Sequence, residues 1–294
     1  MDHDAATLVG RDARPTPQTG PDAVVAALVA SARAALGAAG AEIGDIAAAG
    51  LSAPGPLDHR TGVIFTTQNI AGFADANVPI AARLAEGLGG VHVFLDRDTV
   101  MAAIGEGTIG AAKGVRDFIY LTVSTGVGGA IVSNGRMVRG VSNTAGELGH
   151  FPVDLSGGTR CRCGGHDCVE SYAAGRNIAE AYGVDDAAVV YASAAAGDTR
   201  AAGIIARAEA ALENLAVGIV NALNPERIVV GGSVAEHEPT HVLDPMRRAI
   251  AERAFKVPAA AVTVVPSALG GDVSIVGSAL AARDRAAGEG GWFL

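Results

Sequence analysis

Glu147-Leu148-Gly149-His150 and Cys161-Arg162-Cys163-Gly164-Gly165-His166-Asp167-Cys168-Val169-Glu170 form the stretch that decides how the chain is read. All three cysteines of the protein lie in its second half. An odd count in one short loop, in a chain that gives no sign of export, argues against a disulfide framework. Thiolates and imidazole are the ligands zinc prefers, and a structural site takes four of them. Cys161, Cys163 and Cys168 supply three. His150 and His166 compete to be the fourth. His166 lies inside the loop, where binding beside Cys163 and Cys168 would strain a short backbone, so His150 is preferred. A Cys3His set leaves no open position for water, and the metal is then a staple. It would hold Glu147, His150 and Glu170 close together. Carboxylates and an imidazole on one spot suit a polyhydroxylated ligand, because each carboxylate accepts bonds from more than one hydroxyl.

The rest of the chain bounds this reading. Its 294 residues are 49% hydrophobic and 18% charged, enough for two domains and a large core. Forty glycines point to many tight turns. A net charge of -9 argues against general affinity for nucleic acid or anionic membrane. No apolar run is expected to be long enough to span a bilayer. The start, Met1-Asp2-His3-Asp4, lacks the cationic and apolar regions of a signal peptide. The expected setting is soluble, reducing and cytoplasmic.

Local patterns predict alternating strands and helices, hence an α/β class. Strands are expected at 6–14, 46–51, 91–95, 118–123, 130–132, 227–230 and 262–265. Helices are expected at 21–37, 79–88, 98–109, 171–182, 187–195, 201–223, 242–254 and 274–286. Asn134-Gly135 marks a hairpin turn. The apolar end, Trp292-Phe293-Leu294, packs on the body or on a partner.

Two glycine turns follow predicted buried strands. Thr125-Gly126-Val127-Gly128-Gly129 can present backbone amides to a phosphate, as can Gly231-Gly232-Ser233, which precedes a helix. Neither fits the Walker or dinucleotide pattern. Asp98 stands where a strand ends and a helix begins, a position for a helix cap or for a general base facing a ligand.

Taken together, Glu147-Leu148-Gly149-His150 with Cys161, Cys163 and Cys168, and Asn221-Ala222-Leu223-Asn224-Pro225-Glu226-Arg227-Ile228-Val229-Val230-Gly231-Gly232, resemble the ROK family of sugar kinases and related repressors. The resemblance runs from Leu8 to about Ala282. It implies an actin-like fold, two ribonuclease-H-like domains around a cleft, with a zinc knuckle at 150–168. The N-terminal domain would span 1–112, with the C-terminal helix returning to it, and the C-terminal domain 113–294. The implied activity is ATP-dependent phosphorylation of the 6-hydroxyl of a hexose or N-acylhexosamine, with structural zinc, Mg²⁺ entering with ATP, and a homodimer. Asp98 would be the base. Gly55, Asn69, Arg97, Glu147, His150 and Glu170 would bind the sugar. Thr125, Gly126 and Gly128 would hold phosphate, and Gly231 and Gly232 would border the adenosine.

Three departures from the family pattern are visible. Its opening hairpin with an Asp-x-Gly-Gly-Thr loop is missing, so the N-terminal domain is expected to lose core and expose a sheet edge. Arg97 replaces the usual Asn before the base; Arg only donates, and beside Asp98 it would lower that carboxylate's basicity. Asp167 replaces a Gly in the knuckle, at a position whose backbone Asp tolerates better than most. The missing loop and Arg97 support an alternative: a sugar-binding or regulatory relative without phosphoryl transfer.

Overall fold

The computed structural model describes residues 7–66, 70, 72–154 and 157–288. In chain order the elements are α1 (Pro21–Ala38), β1 (Ala49–Ala53), β2 (Leu57–Asp58), β3 (Val63–Ile64), α2 (Ile80–Gly87), β4 (Val93–Arg97), α3 (Asp98–Thr108), β5 (Phe118–Val123), β6 (Val127–Ser133), β7 (Arg136–Val138), α4 (Val169–Ala173), α5 (Gly175–Tyr182), α6 (Ala187–Ala195), α7 (Thr199–Leu223), β8 (Arg227–Gly231), α8 (Ser233–His237), α9 (Pro239–Arg253), α10 (Lys256–Ala261), β9 (Thr263–Pro266) and α11 (Val273–Ala286). The chain divides into two compact units: Met1–Ile109 with Arg139–Thr144 and Asp272–Leu294, and Gly110–Val138 with Ala145–Gly271.

In the first unit β1 and β4 pair in parallel, Leu51 opposite Leu95 and Ala53 opposite Arg97, while β2 and β3 form a short antiparallel hairpin. Leu51, Leu57, Ile64, Phe73, Ile80 and Leu95 make its core. α11 closes it by packing on α3 and β1. That packing is close enough to dictate composition: a Cβ on Gly277 would stand 1.7 Å from the Met101 carbonyl oxygen.

The second unit holds a five-stranded sheet, β7-β6-β5-β8-β9. β6 runs antiparallel to both β5 and β7, whereas β5, β8 and β9 are parallel. β5 is central and buried on both faces, which explains its unbroken apolar run. α7 supplies Leu212, Leu215 and Ile219 to the core and packs on α9. Its start is capped by Asp198, whose side chain accepts from Ala201 N. Its end is Asn224 in the left-handed conformation, just before Pro225.

Several expectations are corrected. Among the described residues no strand forms over 7–14, because no neighbouring strand pairs there and a strand exists only through its ladder. The first strands lie later than read, at Ala49–Ala53 and Val93–Arg97. The helix read at 171–182 is two, α4 and α5. The break at Ala174 is extended because Gly175 N donates to Ser124 O at 2.8 Å. α9 begins before 242, absorbs Pro245, and is flanked by the short helices α8 and α10. α1 also contradicts the expectation about apolar runs: by length and composition alone, at a mean hydropathy of 1.3, it suffices to cross a membrane. Its Val24, however, is buried in the first unit's core, with Val25, Leu28 and Val29 packed against that core. Trp292-Phe293-Leu294 lie outside the described residues.

Gly277→Ala is expected to destabilise the protein by about 3 kcal/mol, since backbone must move to admit the methyl group. Gly37→Ala, on α1 with nothing near its added carbon, should stabilise by about 0.5 kcal/mol. Urea unfolding of the two variants checks the contrast; equal midpoints would show that the α3–α11 contact is not tight.

Candidate functional site

In the second unit Leu148–His150 forms a single turn of 3-10 helix laid against β6. A Cβ on Gly149 would meet the Val127 carbonyl oxygen at 1.9 Å, so only glycine lets this turn sit where it does. The turn presents His150 to the three thiols. The ligand atoms of His150, Cys161, Cys163 and Cys168 all lie within 4.8 Å of one another. His150 Nδ1 is 3.6 Å from Cys161 Sγ, and Cys163 Sγ is 3.7 Å from Cys168 Sγ. Zinc–sulfur bonds of about 2.3 Å and zinc–nitrogen bonds of about 2.0–2.1 Å in a tetrahedron give about 3.6 Å and about 3.8 Å for those separations. His166 is not in the cluster; its residue bridges to Arg160 instead.

Burial, and then the neighbouring thiols, push the Cys168 thiol up to about 12. The backbone N–H of Gly165 does most to hold the Cys163 thiol below its ordinary value. Asp167 takes the left-handed backbone that the loop demands, with φ 56°. Its Oδ1 accepts from Thr159 N at 2.9 Å and from Tyr172 Oη at 2.6 Å. The residue that departs from glycine thus ties the cysteine loop to α4.

α4 carries Glu170. Its Oε2 accepts from Val127 N at 3.1 Å, and a Cβ on Gly126 would stand 2.8 Å from the same oxygen. The structure therefore brings Glu170 onto the stretch Thr125 to Gly129 that the sequence marks as a phosphate-cradling turn, although β6 already begins at Val127, so that Val127, Gly128 and Gly129 are strand rather than turn. One amide of that stretch is already committed to a carboxylate. Glu147 is exposed at the start of the His150 turn. Gly231 ends β8, and Gly232 follows it just before α8. Gly232 has φ 96°, and a side chain there would clash with Val123 O and Thr122 Oγ1 at 2.6 Å, so packing alone requires glycine.

In the first unit Asp98 opens α3 at the carboxyl end of β4 and is solvent-exposed, its Oδ1 accepting from Thr99 N at 2.7 Å. Arg97, 3% exposed, lies beside Gly55; a Cβ there would be 3.4 Å from Arg97 Cδ. Asn69 lies outside the described residues.

The sequence reading missed what fixes this strand end. Asp96 is 1% exposed, and its two oxygens accept from Arg139 Nη1 at 3.2 Å and Nη2 at 2.8 Å. Arg139 also donates to Asn143, which donates to Leu57 O. The signal was weak: Asp96 and Arg139 are 43 residues apart, and no local spacing links them.

The family model that matches this chain is that of the ROK family, over residues 2–285. The chain belongs to the ROK family. A glucokinase of Halalkalibacterium halodurans is 33% identical over 252 residues, covering 79% of this chain and 75% of that protein. The crystal structure of a ROK hexokinase from Thermus thermophilus is 35% identical, with a TM-score of 0.78 over 95% of this chain and 92% of that one. A xylose repressor of Bacillus subtilis is 28% identical over 242 residues, 78% of this chain but 59% of the repressor. The likeness to ROK structures gives the chain an actin-like α/β fold.

In this ROK protein Arg139→Ala should cost about 3–5 kcal/mol, because it leaves the Asp96 carboxylate buried and uncompensated. Chemical denaturation checks it. A loss under 1 kcal/mol would show that water reaches Asp96 and that the pair is not what holds the end of β4.

Proposed function

We propose that this ROK protein is an ATP-dependent kinase acting on the 6-hydroxyl of a hexose, glucose or a close analogue. The observation that carries the reading is Asp98, an exposed carboxylate fixed in the first turn of α3 at the carboxyl end of β4. That is where ligand-facing groups sit in α/β sheets. The likeness to a glucokinase and a hexokinase over most of the chain supports the same chemistry.

Each group then has a task. The Asp98 carboxylate accepts the proton of the sugar's 6-hydroxyl as that oxygen bonds to the γ-phosphorus and the bond from phosphorus to the β,γ-bridging oxygen breaks, releasing ADP. Gly55, Asn69, Arg97, Glu147, His150 and Glu170 are the groups that the family resemblance assigns to the remaining hydroxyls. Glu170 has Oε1 for this, since Oε2 is tied to Val127 N. Thr125, Gly126 and Gly128 hold phosphate, and Gly231 and Gly232 border the nucleoside. Phosphoryl transfer depends mainly on positioning and charge neutralisation, the latter supplied by Mg²⁺ entering with ATP.

Cys161, Cys163, Cys168 and His150 would hold zinc. The 3.6 and 3.7 Å separations fit its tetrahedron, and four protein ligands close the shell. Its contribution would be structural: it would keep the His150 turn, the cysteine loop and α4 in one arrangement.

A second reading has its own support. The likeness extends to a repressor, and a buried arginine precedes Asp98. On that reading the protein binds sugar without turning over.

ADP release with ATP, Mg²⁺ and a panel of hexoses and N-acylhexosamines separates the two. Turnover with glucose is expected, and Asp98→Asn should lower kcat by about 10²–10⁴-fold while glucose affinity stays within about twofold. Retained turnover in that variant removes Asp98 as the base; glucose binding by the wild type without ADP release favours the second reading. Metal analysis should find about one zinc per chain. Cys163→Ser should lower both Tm and glucose affinity; a zinc-free protein of unchanged Tm would overturn the structural role.

A further inference from the structure

α11 has two apolar faces. One carries Gly277, Leu280 and Ala281 and is buried, with Gly277 tight against Met101 of α3. The other carries Ile275, Ala279, Ala286 and Ala287 at helical spacing. With β1 and the segment before it, this second face lines an open groove of about 720 Å³ in the first unit. Ile275 is 50% exposed there. Among the described residues β1 pairs with β4 alone, and the groove reaches Gly50 and Ser52 of this edge strand.

The lining chemistry says what kind of occupant fits. Of the lining residues only Asp45 and Arg283 are charged, and both are engaged. Asp45 accepts from Glu42 N at 2.8 Å, and Arg283 pairs with Asp284. The rest are alanine, isoleucine, glycine and serine, so the groove calls for apolar side chains. None of the groups assigned to phosphoryl transfer lines it.

The chain itself supplies such side chains. α11 ends at Ala286, and the left-handed Gly288, with φ 72°, lets the chain leave the helix axis. The sequence then reads Glu289-Gly290-Gly291-Trp292-Phe293-Leu294. Aromatic residues make up only 4% of the chain, yet two of them and a leucine stand together here. From Ala287 back to Ile275 the helix face is about 18 Å long, at about 1.5 Å per residue. The stretch Glu289 to Leu294, when extended, spans at most about 20 Å. Turned back along α11, it is long enough to bring Trp292 level with Ala279 and Leu294 level with Ile275. So short a tether sets an effective concentration in the millimolar range, against which a separate partner must compete.

We propose that the groove between α11 and β1 is the docking surface for Trp292-Phe293-Leu294 of the same chain. Docked there, the three side chains leave water against Ile275 and Ala279. The segment also covers the open side of β1, an edge that otherwise invites pairing with another chain. The groove adjoins the start of α3: Ser274, next to Ile275, donates to Asp98 O at 3.2 Å. The inference stands on the first unit alone and does not rest on the kinase reading.

Trp292 is the one tryptophan of the chain, so fluorescence of the full chain reads the docking directly. Its emission is expected at shorter wavelength than in the urea-unfolded chain, shielded from acrylamide and unchanged on dilution. With isoleucine and alanine methyl groups labelled, NOEs from the indole ring to Ile275 and Ala279 are expected. Ile275→Glu should lower the ratio of docked to free segment at least about tenfold, the loss of one buried aliphatic side chain. Ile275 is half-exposed in the first turn of α11, where a carboxylate is favoured, so this variant is expected to fold. Ala279→Glu, farther along the same face, gives a second reading. Val257→Glu, at an exposed apolar residue of the second unit, should leave the emission unchanged. Solvent-exposed emission in the wild type, or emission unmoved by both groove variants, would overturn the docking. An equal red shift in Val257→Glu would overturn its assignment to this groove. A blue shift lost on dilution would give the groove to a second copy and overturn docking within one chain.

Discussion

A carboxylate taken out of water must be paired, and the first unit is arranged around one that is. Asp96 sits almost wholly buried on β4, and the segment Arg139–Thr144 belongs to the same unit as its partner. The bidentate contact fixes two things together. It anchors a segment that leaves the end of β7 and returns to the second unit's sequence. It also holds the strand end from which Arg97 and Asp98 emerge, since Asp96 accepts from Arg97 N as well. Desolvating both ions costs several kcal/mol, which the pair offsets only because the geometry is bidentate and further hydrogen bonds complete it. The network through Asn143 to Leu57 O provides them.

The second unit uses a different device. Its cysteine loop has little apolar content, so hydrophobic burial cannot set its shape. Three thiols and an imidazole gather there with their ligand atoms within 4.8 Å of one another, and Asp167 holds both Thr159 and Tyr172. The consequence reaches Glu170, three residues after Asp167. Its carboxylate is fixed on the β5–β6 turn through Val127 N. The position of a flexible acidic side chain is thereby set by hydrogen-bonded neighbours, which offset the rotamer freedom it loses.

How far the sequence could be read depended on whether a feature is local. α7 was legible because its apolar spacing and the Asn224-Pro225 stop are local features of the chain, although its start lies at Thr199, two residues before the reading. β5 was legible from its apolar run. The start of β1 was misplaced because Ile46 to Ala48 are as apolar as the strand itself, and only pairing with β4 decides where the ladder begins. The break between α4 and α5 was illegible because it is caused by Ser124, far away in sequence.

The same division holds at the candidate site. The sequence by itself determined the family, the cysteine–histidine set and Asp98 at a strand-to-helix junction, because ligand type and short spacing carry that information. Only the tertiary structure decided that Glu170 lies on the turn at Gly126 and that Asp96 is held by Arg139. It alone also set Ile275 and Ala279 of α11 beside β1 around one groove. The physical reason is that such pairings are set by how elements pack. Burial decides which charges need partners, and close packing of strands and helices decides which partners can reach them.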